Sequence, residues 1–141
     1  MSLARTIVRC ALALLYLVAG FSHLATPEPF VRITPESVPL AEQVVYWTGI
    51  AEIAGALALL IPLRTLHCAA AVGLSLYALC VWPANINHML IDLASPDGGW
   101  GLAYHIPRLA FQPVLIWAPL WAAGLVDRPF RARPVRAKPM R

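Results

Sequence analysis

The chain has 141 residues, of which 60% are hydrophobic and 13% charged, with a mean hydropathy of +0.67. That composition excludes an ordinary soluble domain and places the chain, one domain by length, in a lipid bilayer. Its net charge of +4 is not a nucleic-acid signature, since the basic residues are split between the chain ends without interleaved aromatics.

Four apolar stretches, residues 5–24, 43–63, 66–87 and 105–126, each come close to the roughly 20 residues needed to cross about 30 Å of hydrocarbon. They predict an all-α, antiparallel four-helix bundle integral to the membrane over residues 1–127, then a basic cytoplasmic tail over 128–141. The first stretch follows Arg5 and Arg9 like a signal peptide. It is long for one and shows no small-x-small cleavage site before His23, so it is read as a retained helix. Ala11, Ala13, Ala19 and Gly20 let another helix approach it closely. The connection from Ala25 to Gln43 holds Pro27, Pro29, Pro35 and Pro39, which rule out a long regular helix.

The second predicted helix carries Glu52, the only carboxylate inside the apolar windows, on one face with Thr48 and Ala56. Pro62-Leu63-Arg64-Thr65 reads as a tight turn that makes helices two and three antiparallel neighbours. Helix three runs to Trp82-Pro83, where the proline is expected to break or fray it and leave Asn85 and Asn87 at its end. The connection Ser95-Pro96-Asp97-Gly98-Gly99-Trp100-Gly101 is turn-rich. Helix four opens with His105, Arg108 and Gln112 on one stripe. Trp47, Trp82 and Trp100 mark one interface and Trp121 the other. Cys10, Cys68 and Cys80 are isolated and read as small apolar residues within helices.

Arginine and lysine set the orientation. Arg5, Arg9, Arg64 and the six basic residues of 128–141 fall on one side and Arg32 on the other, which puts both termini in the cytoplasm. Counting along the helices then places His23, Glu52, Asn85, Asn87, His105, Arg108 and Gln112 in the outer half, with Glu52 about 12 Å deep at 1.5 Å per residue. Polar groups at such depth are expensive unless paired, so they are expected to form one outward-facing ligand pocket with a Glu52–Arg108 ion pair. A metal site from His23, Glu52, His88 and His105 has suitable ligand types but no pair at i, i+4 spacing, so none is assigned.

Gly20-Phe21-Ser22-His23 with Pro29-Phe30, Thr48-Gly49-Ile50-Ala51-Glu52-Ile53-Ala54-Gly55, Trp82-Pro83-Ala84-Asn85-Ile86 and Arg108-Leu109-Ala110-Phe111-Gln112 together resemble the DoxX-like family of small four-helix bacterial membrane proteins. The resemblance implies a multi-pass protein of the bacterial inner membrane, often an accessory subunit in redox metabolism. Related thiol-oxidising four-helix proteins use paired cysteines, which this chain lacks. The expected function is a redox-linked accessory role in which the pocket binds a small molecule, a quinone being the candidate cofactor because its carbonyls accept hydrogen bonds from Arg108, Gln112 or an imidazole. The expected partners are the bilayer and a membrane redox protein or a second copy. The alternatives are a structural subunit of a larger respiratory assembly and a small enzyme using Glu52 and a histidine.

Overall fold

A computed structural model describes residues 2–128 and 131–132. The described residues are all-helical apart from one short hairpin: α1 Leu3–Ala25, α2 Glu28–Ile33, α3 Ala41–Leu60, α4 Arg64–Ala94 and α5 Gly101–Ala122, then β1 Val126–Arg128 paired antiparallel with β2 Arg131–Ala132. The four expected helices are α1, α3, α4 and α5. The predicted tail otherwise lies outside the described residues.

Two antiparallel pairs build the molecule, α1 with α3 and α4 with α5. Glycine brings the first pair together. A Cβ on Gly20 would lie 2.6 Å from the Gly49 carbonyl oxygen, and one on Gly49 would lie 2.8 Å from His23 Cβ, so the backbones meet where only hydrogen fits. Gly55 performs the same service for α4, receiving the Leu74 side chain. The core of Leu12, Ala13, Tyr16, Ala56, Leu59, Ala70, Leu74, Ala118 and Ala122 fills the end of the molecule near the chain termini. That end is clasped by Arg5, whose Nη2 donates to Asp127 Oδ1 at 2.8 Å, and by Arg9, which donates to His67 Nε2 at 3.3 Å.

Large apolar side chains cover the outer faces: Leu14, Val18, Phe21, Leu57, Leu76, Leu79 and Leu90 are all exposed. Among the described residues α1, α3 and α4 are long and apolar enough to cross a membrane. Four such helices were expected. α5 falls short on this measure because His105, Arg108, Gln112 and three prolines dilute its apolar residues.

One expectation about local structure is corrected. α4 continues unbroken through Pro83 to Ala94, so Asn85, Asn87 and His88 sit inside a helix and not at a frayed end. A proline removes one backbone donor, and its neighbours supply enough hydrogen bonds to hold the remaining turns. The Pro-rich connection forms no long helix, as expected, but folds a six-residue one, α2, whose first turn contains Pro29, a residue compatible with that position.

Candidate functional site

Glu52 is 4% exposed in the middle of α3. Its burial face, Val45, Gly49, Glu52, Ala56 and Leu59, repeats every three to four residues, so the helical period aims the carboxylate at α1 and α4. His23, in the last turn of α1, brings Nδ1 to 3.4 Å from Glu52 Oε2 and to 3.3 Å from Thr48 Oγ1. The Tyr77 hydroxyl of α4 approaches the same carboxylate. The His23 ring stands edge-on to Phe30 of α2, with centroids 4.0 Å apart.

These residues border a cavity of about 590 Å³ between the helices, which Glu52 shares with Tyr16, His23, Asn85, Arg108 and Gln112. Phe30 and Ile33 of α2 line it, and Leu15, Val44, Val81, Phe111 and Leu115 make much of the remaining wall apolar. α2 is held in place by Asn87, whose Nδ2 donates to the Ile33 carbonyl at 2.9 Å. A second cavity of about 760 Å³ lies at the α2–α3 edge, and His23 borders both.

Two polar atoms on the main cavity stand out. Glu52 Oε2 and the Tyr16 hydroxyl are buried and have no hydrogen-bond partner among the described residues. His23 approaches Oε2 as a possible counter-ion without meeting hydrogen-bond geometry. Buried polar atoms almost always find a partner, because an orphaned one costs about 1–3 kcal/mol.

Five of the seven residues expected in the pocket, His23, Glu52, Asn85, Arg108 and Gln112, therefore line one cavity. The expected Glu52–Arg108 ion pair does not form. Arg108 Nη1 donates instead to His88 Nδ1 at 2.8 Å, and its guanidinium lies 5.7 Å from the Tyr104 ring centroid. The packing explains this: α3 lies on α1 and α4, α5 on α4 and α1, so the two charges face each other across open space. Gln112 donates to the Ala78 carbonyl and accepts from Asn85 Nδ2 at 3.2 Å, tying α5 to α4 beside Pro83. Asn87 positions α2 and does not line the cavity.

His105 is corrected too. It is fully buried away from the cavity, with Nε2 2.9 Å from Asp92 Oδ2. Asp92 itself was hidden by ending the third helix near Pro83, although its i, i+4 spacing from His88 is legible. Tyr16, Tyr77 and Thr48 were not among the expected ligand residues; hydroxyls inside apolar helices are the signal that points to them.

The family model described as a domain of unknown function, DUF8561, matches residues 12–124, and the chain belongs to that family. No curated protein and no solved structure matches it.

Proposed function

We propose that this DUF8561 member is an integral membrane protein whose four long helices cross the bilayer with both termini in the cytoplasm, and whose central cavity binds a small amphipathic molecule. The observation that carries this reading is the pair of unpartnered buried atoms, Glu52 Oε2 and Tyr16 OH, on one cavity. Such atoms call for an occupant with hydrogen-bonding groups at its head, while Val44, Val81, Phe111 and Leu115 suit an apolar body. A quinone or quinol meets both needs: its oxygens accept from Tyr16 and Arg108, and a quinol hydroxyl donates to Glu52. The DoxX-like resemblance supports a bacterial inner-membrane location and an accessory role beside a redox partner.

The test is equilibrium binding of a short-chain benzoquinone to the full chain in lipid nanodiscs, with empty nanodiscs as the partition control. Wild type is expected to bind saturably, and Glu52→Gln with Tyr16→Phe to bind at least tenfold more weakly, about 1.4 kcal/mol. Binding equal to the empty discs, or unchanged in the double variant, overturns the proposal. The 3.4 Å approach of His23 to Glu52 favours a second reading, in which a bound ligand exchanges a proton with this pair. Under that reading His23→Gln preserves binding and slows the uptake of two protons that accompanies two-electron reduction of the bound quinone by an added chemical reductant, followed with a pH dye.

A further inference from the structure

Beyond the cavity, α4 and α5 come together around three potential metal ligands. His88 and Asp92 stand one turn apart on α4, and His105 enters from α5. His105 Nε2 is 2.9 Å and His88 Nε2 3.6 Å from the same oxygen, Asp92 Oδ2, and one donor atom from each residue falls within 4.8 Å of the others. Ligands about 2.0–2.1 Å from a tetrahedral Zn²⁺ are about 3.3 Å from one another, so these donors already stand near the required spacing. We infer that His88, Asp92 and His105 bind a first-row divalent cation of the Zn²⁺ class, leaving a fourth position for water or a further ligand.

The surroundings hold the carboxylate for this task. The Trp100 backbone N–H donates to Asp92 Oδ2 at 3.0 Å. Gly99 has φ of 52° and lies so close that any Cβ there would collide with the Asp92 carboxyl group. The glycine loop thus seats directly on the ligand and fixes its rotamer, as supporting contacts do in metal sites. His105 is fully buried and Asp92 is 7% exposed, which excludes bulk water from most of the triad.

Arg108 adds a consequence. Its N–H donates to His88 Nδ1, so that nitrogen is bare and the ring proton sits on Nε2, towards Asp92. A cation on Nε2 requires the neutral ring to carry its proton on Nδ1 instead. Two N–H groups would then face each other at 2.8 Å, and Arg108 must leave. Because Arg108 also lines the cavity, loading the cation frees its guanidinium for whatever the cavity holds.

Co²⁺ titration of the full chain in detergent, without a polyhistidine tag, tests the site through the visible absorption of four-coordinate Co²⁺ and its loss on adding Zn²⁺. One Co²⁺ per chain is expected, with affinity lowered at least tenfold in Asp92→Asn and in His88→Gln, whose side chain is partly exposed and tolerates replacement. Arg108→Gln is expected to tighten binding several-fold by removing the competing donor and its charge. Circular dichroism separates loss of ligand from loss of fold. Absence of the Co²⁺ spectrum in the folded wild-type chain, or its survival unchanged in folded Asp92→Asn, overturns the assignment.

Discussion

Gln112 shows how a single amide holds two helices. It is 3% exposed, gives one hydrogen bond to the Ala78 carbonyl and takes one from Asn85. Replacing it by leucine removes both and leaves the Asn85 amide without this acceptor. Interhelical hydrogen bonds in membranes average about 0.6 kcal/mol and reach about 1.7 kcal/mol, so Gln112→Leu is expected to cost about 1–2 kcal/mol in reversible unfolding by denaturing detergent. A change below about 0.5 kcal/mol would show that these bonds are not stabilising. Glu52 differs in kind: one of its oxygens has no hydrogen-bond partner among the described residues, so its burial is a standing cost that the helix contacts must offset. The spacing of His105, Arg108 and Gln112 was legible as a polar stripe. That Arg108 and Gln112 line the cavity while His105 does not was not legible, because Asp92 on a neighbouring helix captures His105.

At the scale of the helices, the close approach of α1 and α3 rests on two glycines. A methyl group on Gly20 would lie 2.6 Å from a backbone oxygen, which cannot rotate away. Gly20→Ala is therefore expected to push the pair apart and cost about 1–3 kcal/mol, the range for overpacked interiors. Gly73 provides the control, since a Cβ there meets nothing within 4 Å. Gly73→Ala should leave the thermal midpoint unchanged or raise it slightly. Equal losses in both variants would mean that the cost does not come from the α1–α3 interface, since helix propensity favours alanine over glycine at both positions. Small residues at these positions announce close packing in the sequence; the choice of partner is settled by the crossing itself, which matches Gly20 to Gly49. The length of α4 was misjudged for a related reason. Pro83 is a local helix breaker, yet packing against α5 and the Asn85–Gln112 bond carry the helix through it.

At the scale of the whole molecule, Arg5 and Asp127 are joined at 2.8 Å, so the start of α1 and the end of α5 lie on the same side. In the proposed topology, which follows the positive-inside rule, that side faces the cytoplasm. The proposed topology is checked by single cysteines in a background with Cys10, Cys68 and Cys80 replaced by serine: Asp97→Cys is expected to react with a membrane-impermeant maleimide added outside intact cells, and Arg64→Cys only after lysis. The reverse pattern would invert the topology and turn the cavity towards the cytoplasm. Composition and the period of the apolar residues determined the helical class and the four long segments, because burial from water acts on every residue in proportion to its apolar surface and so leaves its record locally. Charge placement along the chain determined the expected orientation in the same local way. Only the tertiary structure decided which polar groups meet. Glu52 and Arg108 carry opposite charge at similar depth, but hydrogen bonds act over about 3 Å, and the crossing of four helices set His23 beside Glu52 and Asp92 beside His105 while leaving open space between the expected pair.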